Sequence, residues 1–158
     1  MVASPGLGWS VVGTGDLDAN GRGDIVLQNQ DGSVAAWQMN GASIAAGTIV
    51  ANPGAAWSVQ GMQDFNADGR ADILLRNLDG SVALWQMDGP AIAAATVISN
   101  PGNGYAITGT GDFNGDQRAD ILWRGSDGAV AIWQMNGPEI AASAVIATLD
   151  LAWKVVGI

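Results

Sequence analysis

The sequence contains no cysteine and no histidine. The first absence excludes disulfides, thiolate metal sites and thiol nucleophiles. The second excludes a Ser-His-Asp triad, a histidine-ligated zinc and a histidine general base. Charge is scarce too, at 13% of 158 residues, and it leans acidic: 15 acids against 6 bases, a net charge of −9. That balance disfavours nucleic-acid phosphates and anionic lipid as partners and suits a hard cation. No apolar run reaches the ~18 residues that a membrane-spanning helix requires. What is plentiful is apolar residue (48%), with 23 glycines and 7 tryptophans. The apolar content excludes disorder. Glycine on this scale demands many turns and tryptophan demands large buried surfaces, so the composition points to an all-β protein of short strands.

The chain repeats itself with a period of 48 residues. Trp9, Trp57, Tyr105 and Trp153 share that spacing, as do Asp16, Asp64 and Asp112, and Trp37, Trp85 and Trp133. The copies run 9–56, 57–104 and 105–152, and 153–158 repeats the opening of a copy, WKVVG against WSVVG. Val2 to Gly6 matches Val50 to Gly54, the tail of a copy. A start inside a repeat, with no signal peptide, reads as an excised or engineered segment.

Each copy parses into four strands. In copy one they are WSVVGTG, Ile25 to Gln28, Val34 to Met39 and a segment around Ile44 to Val50. Copy two has Ile73 to Arg76, Val82 to Met87 and a segment around Ile92 to Ile98. Copy three has Ile121 to Arg124, Val130 to Met135 and a segment around Ile140 to Ile146. Asp31-Gly32, Asp79-Gly80 and Asp127-Gly128 separate strands two and three. Asn40-Gly41, Asp88-Gly89 and Asn136-Gly137 separate three and four. Both dipeptides favour the positive φ of tight hairpins. In the third strand of copy two, Val82 and Leu84 face one way and Ala83, Trp85 and Met87 the other, so both faces are apolar and both are expected to be covered. Repeated four-stranded antiparallel sheets covered on both sides are β-propeller blades, and a 48-residue period suits a blade. A β-solenoid or a single sandwich is the alternative. Four strands per copy joined by short turns favour the propeller.

Between strands one and two each copy carries a nine-residue acidic loop. Oxygen side chains stand at its positions 1, 3, 5 and 9: Asp16, Asp18, Asn20 and Asp24; Asp64, Asn66, Asp68 and Asp72; Asp112, Asn114, Asp116 and Asp120. Nine of the fifteen acids lie in these loops. The spacing lets a tight loop wrap a cation, and the position-7 carbonyl (Arg22, Arg70 or Arg118) can add a ligand. Like charges a few ångströms apart repel by roughly 1 kcal/mol per pair even in water, which a divalent ion relieves. An all-oxygen donor set of flexible geometry selects Ca²⁺ over Mg²⁺ and transition metals. The competing reading is a metal-free loop of Asx turns, in which Asp and Asn bond their own backbone.

The pattern D-[LF]-[DN]-x-[DN]-G-x-[GA]-D-I resembles the calcium-binding motif of FG-GAP/VCBS repeats, the blades of integrin-α-type propellers, and the resemblance covers all three copies. It implies Ca²⁺ held by side chains at positions 1, 3, 5 and 9 and by the carbonyl at position 7, about one ion per repeat. It also implies extracellular or cell-surface scaffold and binding roles more often than catalysis, and the family includes propellers that bind sugars. Copy three departs from the pattern, with Gln117 where position 6 has glycine. If that position needs φ > 0, Gln117 carries a steric penalty and the third site is weaker.

Other signals carry less. Arg22-Gly23-Asp24 spells an adhesion tripeptide, but Asp24 is the position-9 residue at the mouth of a strand. Trp37, Trp85 and Trp133 read as core. Trp9, Trp57, Tyr105 and Trp153 read as inter-blade packing, with ligand contact as the alternative. Gln28, Arg76 and Arg124 read as polar groups between blades or at their edge. The only glutamate, Glu139, sits beside a turn and leaves no carboxylate pair for glycoside hydrolysis outside the loops. The expectation is a non-enzymatic, calcium-binding propeller module, with a carbohydrate-binding lectin having sites between blades as the alternative. Closed propellers typically have about four to eight blades. Three blades are therefore expected to pair with a second copy in a six-bladed homodimer, with 153–158 crossing the junction as a strap. A glycan or protein ligand is the further partner expected.

Overall fold

The computed structural model describes residues 6–154. Twelve strands form three antiparallel sheets of four, each in sequential order. The first sheet comprises β1 (Trp9–Gly15), β2 (Asp24–Asn29), β3 (Val34–Asn40) and β4 (Ser43–Ala51). The second comprises β5 (Trp57–Gln63), β6 (Asp72–Asn77), β7 (Val82–Asp88) and β8 (Ala91–Ser99). The third comprises β9 (Tyr105–Gly111), β10 (Asp120–Gly125), β11 (Ala129–Asn136) and β12 (Glu139–Thr148). These are blades of β-propeller type, and the described residues do not close them into a ring. The Ala-rich fourth segment of each copy is strand, as its Thr, Val and Ile content requires. The described residues contain no helix, hence none long and apolar enough to cross a membrane. The segment 153–158 lies mostly outside the described residues; Trp153 and Lys154 are exposed and belong to no strand.

The sheets stack face to face, and two-sided burial follows the strand alternation. Val82 and Leu84 of β7 pack toward the third blade with Phe65, Leu74, Ile121 and Trp123. Trp85 and Met87 of the same strand pack toward the first with Leu17, Val26, Val34 and Ile73. Trp85 is buried as the core reading requires, and Trp133 lies 4.6 Å from Trp123, ring centre to ring centre, at 54°. The inner strands β1 and β5 each carry a register shift at the same place, residues 12 and 60, and β9 carries the matching irregularity opposite Leu122 and Trp123.

Polar side chains stitch the blades at one repeated position. Gln28 donates from Nε2 to the Trp57 carbonyl (2.8 Å) and accepts from the Val59 N–H (3.1 Å). Arg76 donates to the carbonyls of Gly102 and Tyr105, both at 2.7 Å, and lies 5.2 Å above the Trp123 ring. Arg124 does the same toward Asp150 and Trp153 (3.1 and 3.4 Å) and also donates to Gly128. Gln28 and Arg76 are therefore polar groups between blades, and Arg124 is one at the edge of the last blade.

Candidate functional site

The three acidic loops join the innermost strand of each blade to the next one out, and all use one hydrogen-bond pattern. The position-1 carboxylate accepts the N–H groups of positions 5 and 6. Asp16 takes Asn20 and Gly21 (3.1 and 2.7 Å), Asp64 takes Asp68 and Gly69 (3.2 and 2.7 Å), and Asp112 takes Asp116 and Gln117 (3.1 and 2.9 Å). Position 3 accepts from the N–H of position 5, as in Asn66 from Asp68 at 3.0 Å and Asn114 from Asp116 at 2.9 Å. Position 5 accepts from position 7, with Arg22, Arg70 and Arg118 donating at 2.8–2.9 Å. These are Asx turns, and in loop one they gather the side-chain oxygens of Asp16 and Asp18 beside that of Asp24. The two loop readings therefore share one geometry, because a carboxylate that accepts an N–H keeps lone pairs for a cation.

Position 9 is different. Asp24, Asp72 and Asp120 are fully buried. One oxygen of each accepts the N–H of position 2: Leu17 at 3.2 Å, Phe65 at 3.1 Å and Phe113 at 3.0 Å. The other accepts from the end of the third strand: Met39 at 2.9 Å, Met87 at 3.0 Å and Met135 at 2.9 Å. This carboxylate pins the loop to the sheet, a role the linear spacing does not reveal because its second partner lies 15 residues away. With Asp24 so enclosed, Arg22-Gly23-Asp24 is not presented as an adhesion tripeptide.

The charge pattern distinguishes the loops. In loop one, carboxylate oxygens of Asp16, Asp18 and Asp24 all lie within 4.8 Å of one another. Loops two and three carry Asn66 and Asn114 at position 3, and their third carboxylate stands at position 5. There Asp68 and Asp116 each face the arginine of position 7, Arg70 and Arg118, both at 3.9 Å. Loop one therefore concentrates unbalanced negative charge most strongly. Burial raises Asp24 above the ordinary carboxylate range, helped by the negative charges of Asp18 and Asp16 and opposed by the Met39 and Leu17 N–H groups. Burial likewise pushes Asp72 up to about 6, against the Met87 and Phe65 N–H groups and with the charges of Asp68 and Asp64. Burial also pushes Asp16 upward, but the Gly21 and Asn20 N–H groups outweigh it and leave Asp16 lowered. The Gln117 N–H is the main group that lowers Asp112. Clustered oxygens, buried carboxylates and an all-oxygen donor set match what Ca²⁺ takes up.

Gln117 does adopt a left-handed conformation, φ 69°. The structure adds what the motif alone hides: position 4 is left-handed as well. Ala19 (φ 57°) and Ala67 (φ 61°) occupy it in loops one and two, and Gly115 (φ 81°) in loop three. Each loop thus has two left-handed residues, one glycine and one not. Loop three exchanges which position is strained, and the penalty at Gln117 is offset at Gly115. The available signal was Gly115 itself, standing where the other copies have alanine. Ala67→Gly and Gln117→Gly are each expected to raise stability in urea denaturation by about 0.5–1 kcal/mol.

Neighbouring loops are also tied through their backbones. Ala71 N–H donates to the Asp16 carbonyl (2.7 Å) and Ala119 N–H to that of Asp64 (2.8 Å). Gly89 N–H donates to the Leu17 carbonyl (2.9 Å) and Gly137 N–H to that of Phe65 (2.8 Å). In loop one the side chains of positions 1, 3 and 9 are brought together, while in loops two and three the arginine of position 7 stands 3.9 Å from the position-5 carboxylate, with Arg70 also 3.4 Å from Asp88.

Residues 64–123 fit the model of the FG-GAP-like repeat, a span that begins at the first carboxylate of loop two and contains loop three entire. No curated protein matches the chain.

Proposed function

We propose, from the premise that this chain carries FG-GAP-like repeats, that it is a non-enzymatic, calcium-binding propeller module with a scaffold or interaction role. The observation that carries this reading is the convergence of Asp16, Asp18 and Asp24 within 4.8 Å, all three drawn in by the loop's own backbone N–H groups. The side chains at positions 1, 3, 5 and 9 and the carbonyl of position 7 would hold the ion. When bound, Ca²⁺ supplies the positive charge that neutralises three carboxylates. The chain's residues do the rest: Asx turns shape the loop, the buried position-9 carboxylate anchors it to the sheet, and inter-loop hydrogen bonds pass its rigidity to the next blade. The family resemblance supports an extracellular or cell-surface setting, where calcium is abundant. A ligand that binds only the native loops stabilises the fold by mass action, about 2.7 kcal/mol at a hundredfold excess over Kd.

The experiment is calcium titration with elemental analysis, alongside thermal melts in calcium and in chelator. Bound calcium and a melting temperature lowered by several degrees in chelator are expected. Asp18→Ala is expected to lose the loop-one ion while changing stability in chelator by less than about 1 kcal/mol. Metal-free protein whose melt ignores calcium would sink the reading.

Carbohydrate binding between blades is the second reading, favoured by two repeat-related clefts of about 450 and 420 Å³. Tyr105 and Trp133 line one over the buried Trp123, and Trp57 lines the other over the buried Trp85. Aromatic walls of this kind can stack on the apolar face of a sugar ring. A glycan array in saturating calcium separates this reading from a pure scaffold.

A further inference from the structure

We infer that the two end blades of this chain are complementary halves of one joint, so that the outer face of the third blade docks the outer face of the first blade of a second copy, head to tail. The occupant is read from the chain's own junctions, which repeat one interface twice. In each junction, one blade presents the face built around Leu17 or Phe65, and the next covers it with Val59, Ile73 and Met87 or their equivalents Ile107, Ile121 and Met135. The end blades hold the unmatched halves. Val11 is 62% exposed where Val59 is 9% exposed. Ile25 and Met39 are half-buried where Ile73, Ile121, Met87 and Met135 are buried. On the third blade, Phe113 is 41% exposed where Leu17 and Phe65 are fully covered. Ile146 is exposed where Val50 and Ile98 pack against the cores.

The backbone carries the same register. The carbonyls of Asp16 and Asp64 accept Ala71 and Ala119 N–H, and those of Leu17 and Phe65 accept Gly89 and Gly137 N–H. The next acceptors in the series are the carbonyls of Asp112 and Phe113. The matching donors one repeat earlier are Gly23 and Gly41 N–H. None of the four has an inter-blade partner among the described residues. A second copy brings Gly23 and Gly41 to Asp112 and Phe113. At Arg124 the chain's own Asp150 and Trp153 carbonyls hold the place that the partner's Gly6 and Trp9 carbonyls would take, so docking displaces them. Such an interface is heterologous, and two copies joined at both ends close a six-bladed ring, within the usual range for propellers.

The inference rests on the blade architecture and not on bound calcium, and the experiment keeps the two apart. Native mass spectrometry and sedimentation equilibrium, run at about 50 μM in calcium and in chelator, are expected to give twice the 16.1 kDa chain mass. Val11→Glu and Ile146→Glu, both at exposed positions, are each expected to weaken association at least tenfold. Mixed one to one, they are expected to form an open heterodimer through the single joint left intact, Ile146 of the first variant against Val11 of the second. A monomeric wild type in both conditions overturns the inference. So does dissociation by only one of the two substitutions, which would mean like faces pairing. Loss of calcium binding with the doubled mass retained would overturn the metal reading alone.

Discussion

Asp72→Ala is expected to destabilise the metal-free protein by about 2–5 kcal/mol in urea denaturation at pH 4, where the carboxyl is protonated and its charge does not offset the loss. The carboxylate is fully buried and is the acceptor for Phe65 N–H and Met87 N–H. Alanine strands both donors in the interior, at about 1–3 kcal/mol each. Asp68→Ala, in the same loop but exposed, is expected to change stability by less than about 1 kcal/mol. A loss at Asp72 no larger than that at Asp68 would show that the pin is not holding the loop to the sheet. The charge of Asp72 acts in the opposite direction to its hydrogen bonds. Its carboxyl titrates near 6 in the fold and near 3.8 in the unfolded chain. Its protonated form therefore contributes stability that is complete below pH 4 and lost as pH rises through 6. Metal-free protein is expected to lose on the order of 2–3 kcal/mol across that window, since each tenfold difference in proton affinity between fold and unfolded chain is worth about 1.4 kcal/mol. Saturating calcium is expected to shrink the loss, because a bound cation favours the ionised form. Asp72→Ala is expected to flatten it.

Gly32→Ala is the second large effect, also expected at about 2–5 kcal/mol. Gly32 holds φ 92°, where a side chain is strained. A Cβ there would also stand 2.2 Å from the carbonyl carbon of Gly54 and 2.6 Å from Ala55 N, so the obstacle is backbone and cannot swing aside. Overpacking against a rigid neighbour adds about 1–3 kcal/mol to the conformational strain. Gly41→Ala separates the two contributions. Gly41 has φ 61° with open space around it, so its replacement is expected to cost only about 1–2 kcal/mol. Equal losses at the two positions would mean that the segment 52–56 yields freely.

The periodic features were legible in the linear chain for a physical reason. Strand alternation, Asp-Gly and Asn-Gly hairpins and the spacing of loop oxygens are local constraints, and three copies in phase multiply each of them. The two-faced burial of Val82, Leu84, Trp85 and Met87 could be read from β7 alone, since a strand has only two faces and both were apolar. The left-handed position 4 was less accessible. Alanine at position 19 or 67 gives no local warning, and only closure of the whole loop imposes its φ.

By itself, the sequence determined the strand pattern, the blade period and the clustering of carboxylates, because each depends on residues within one turn or one hairpin. Tertiary structure alone decided that Asp24, Asp72 and Asp120 are buried pins. It also decided that Gly32 lies against another segment's backbone, and that Val11 and Phe113 are bared while their repeats are covered. Those outcomes depend on what a distant strand or a neighbouring blade brings alongside. Identical local sequence therefore meets different surroundings at the middle and at the ends of the stack.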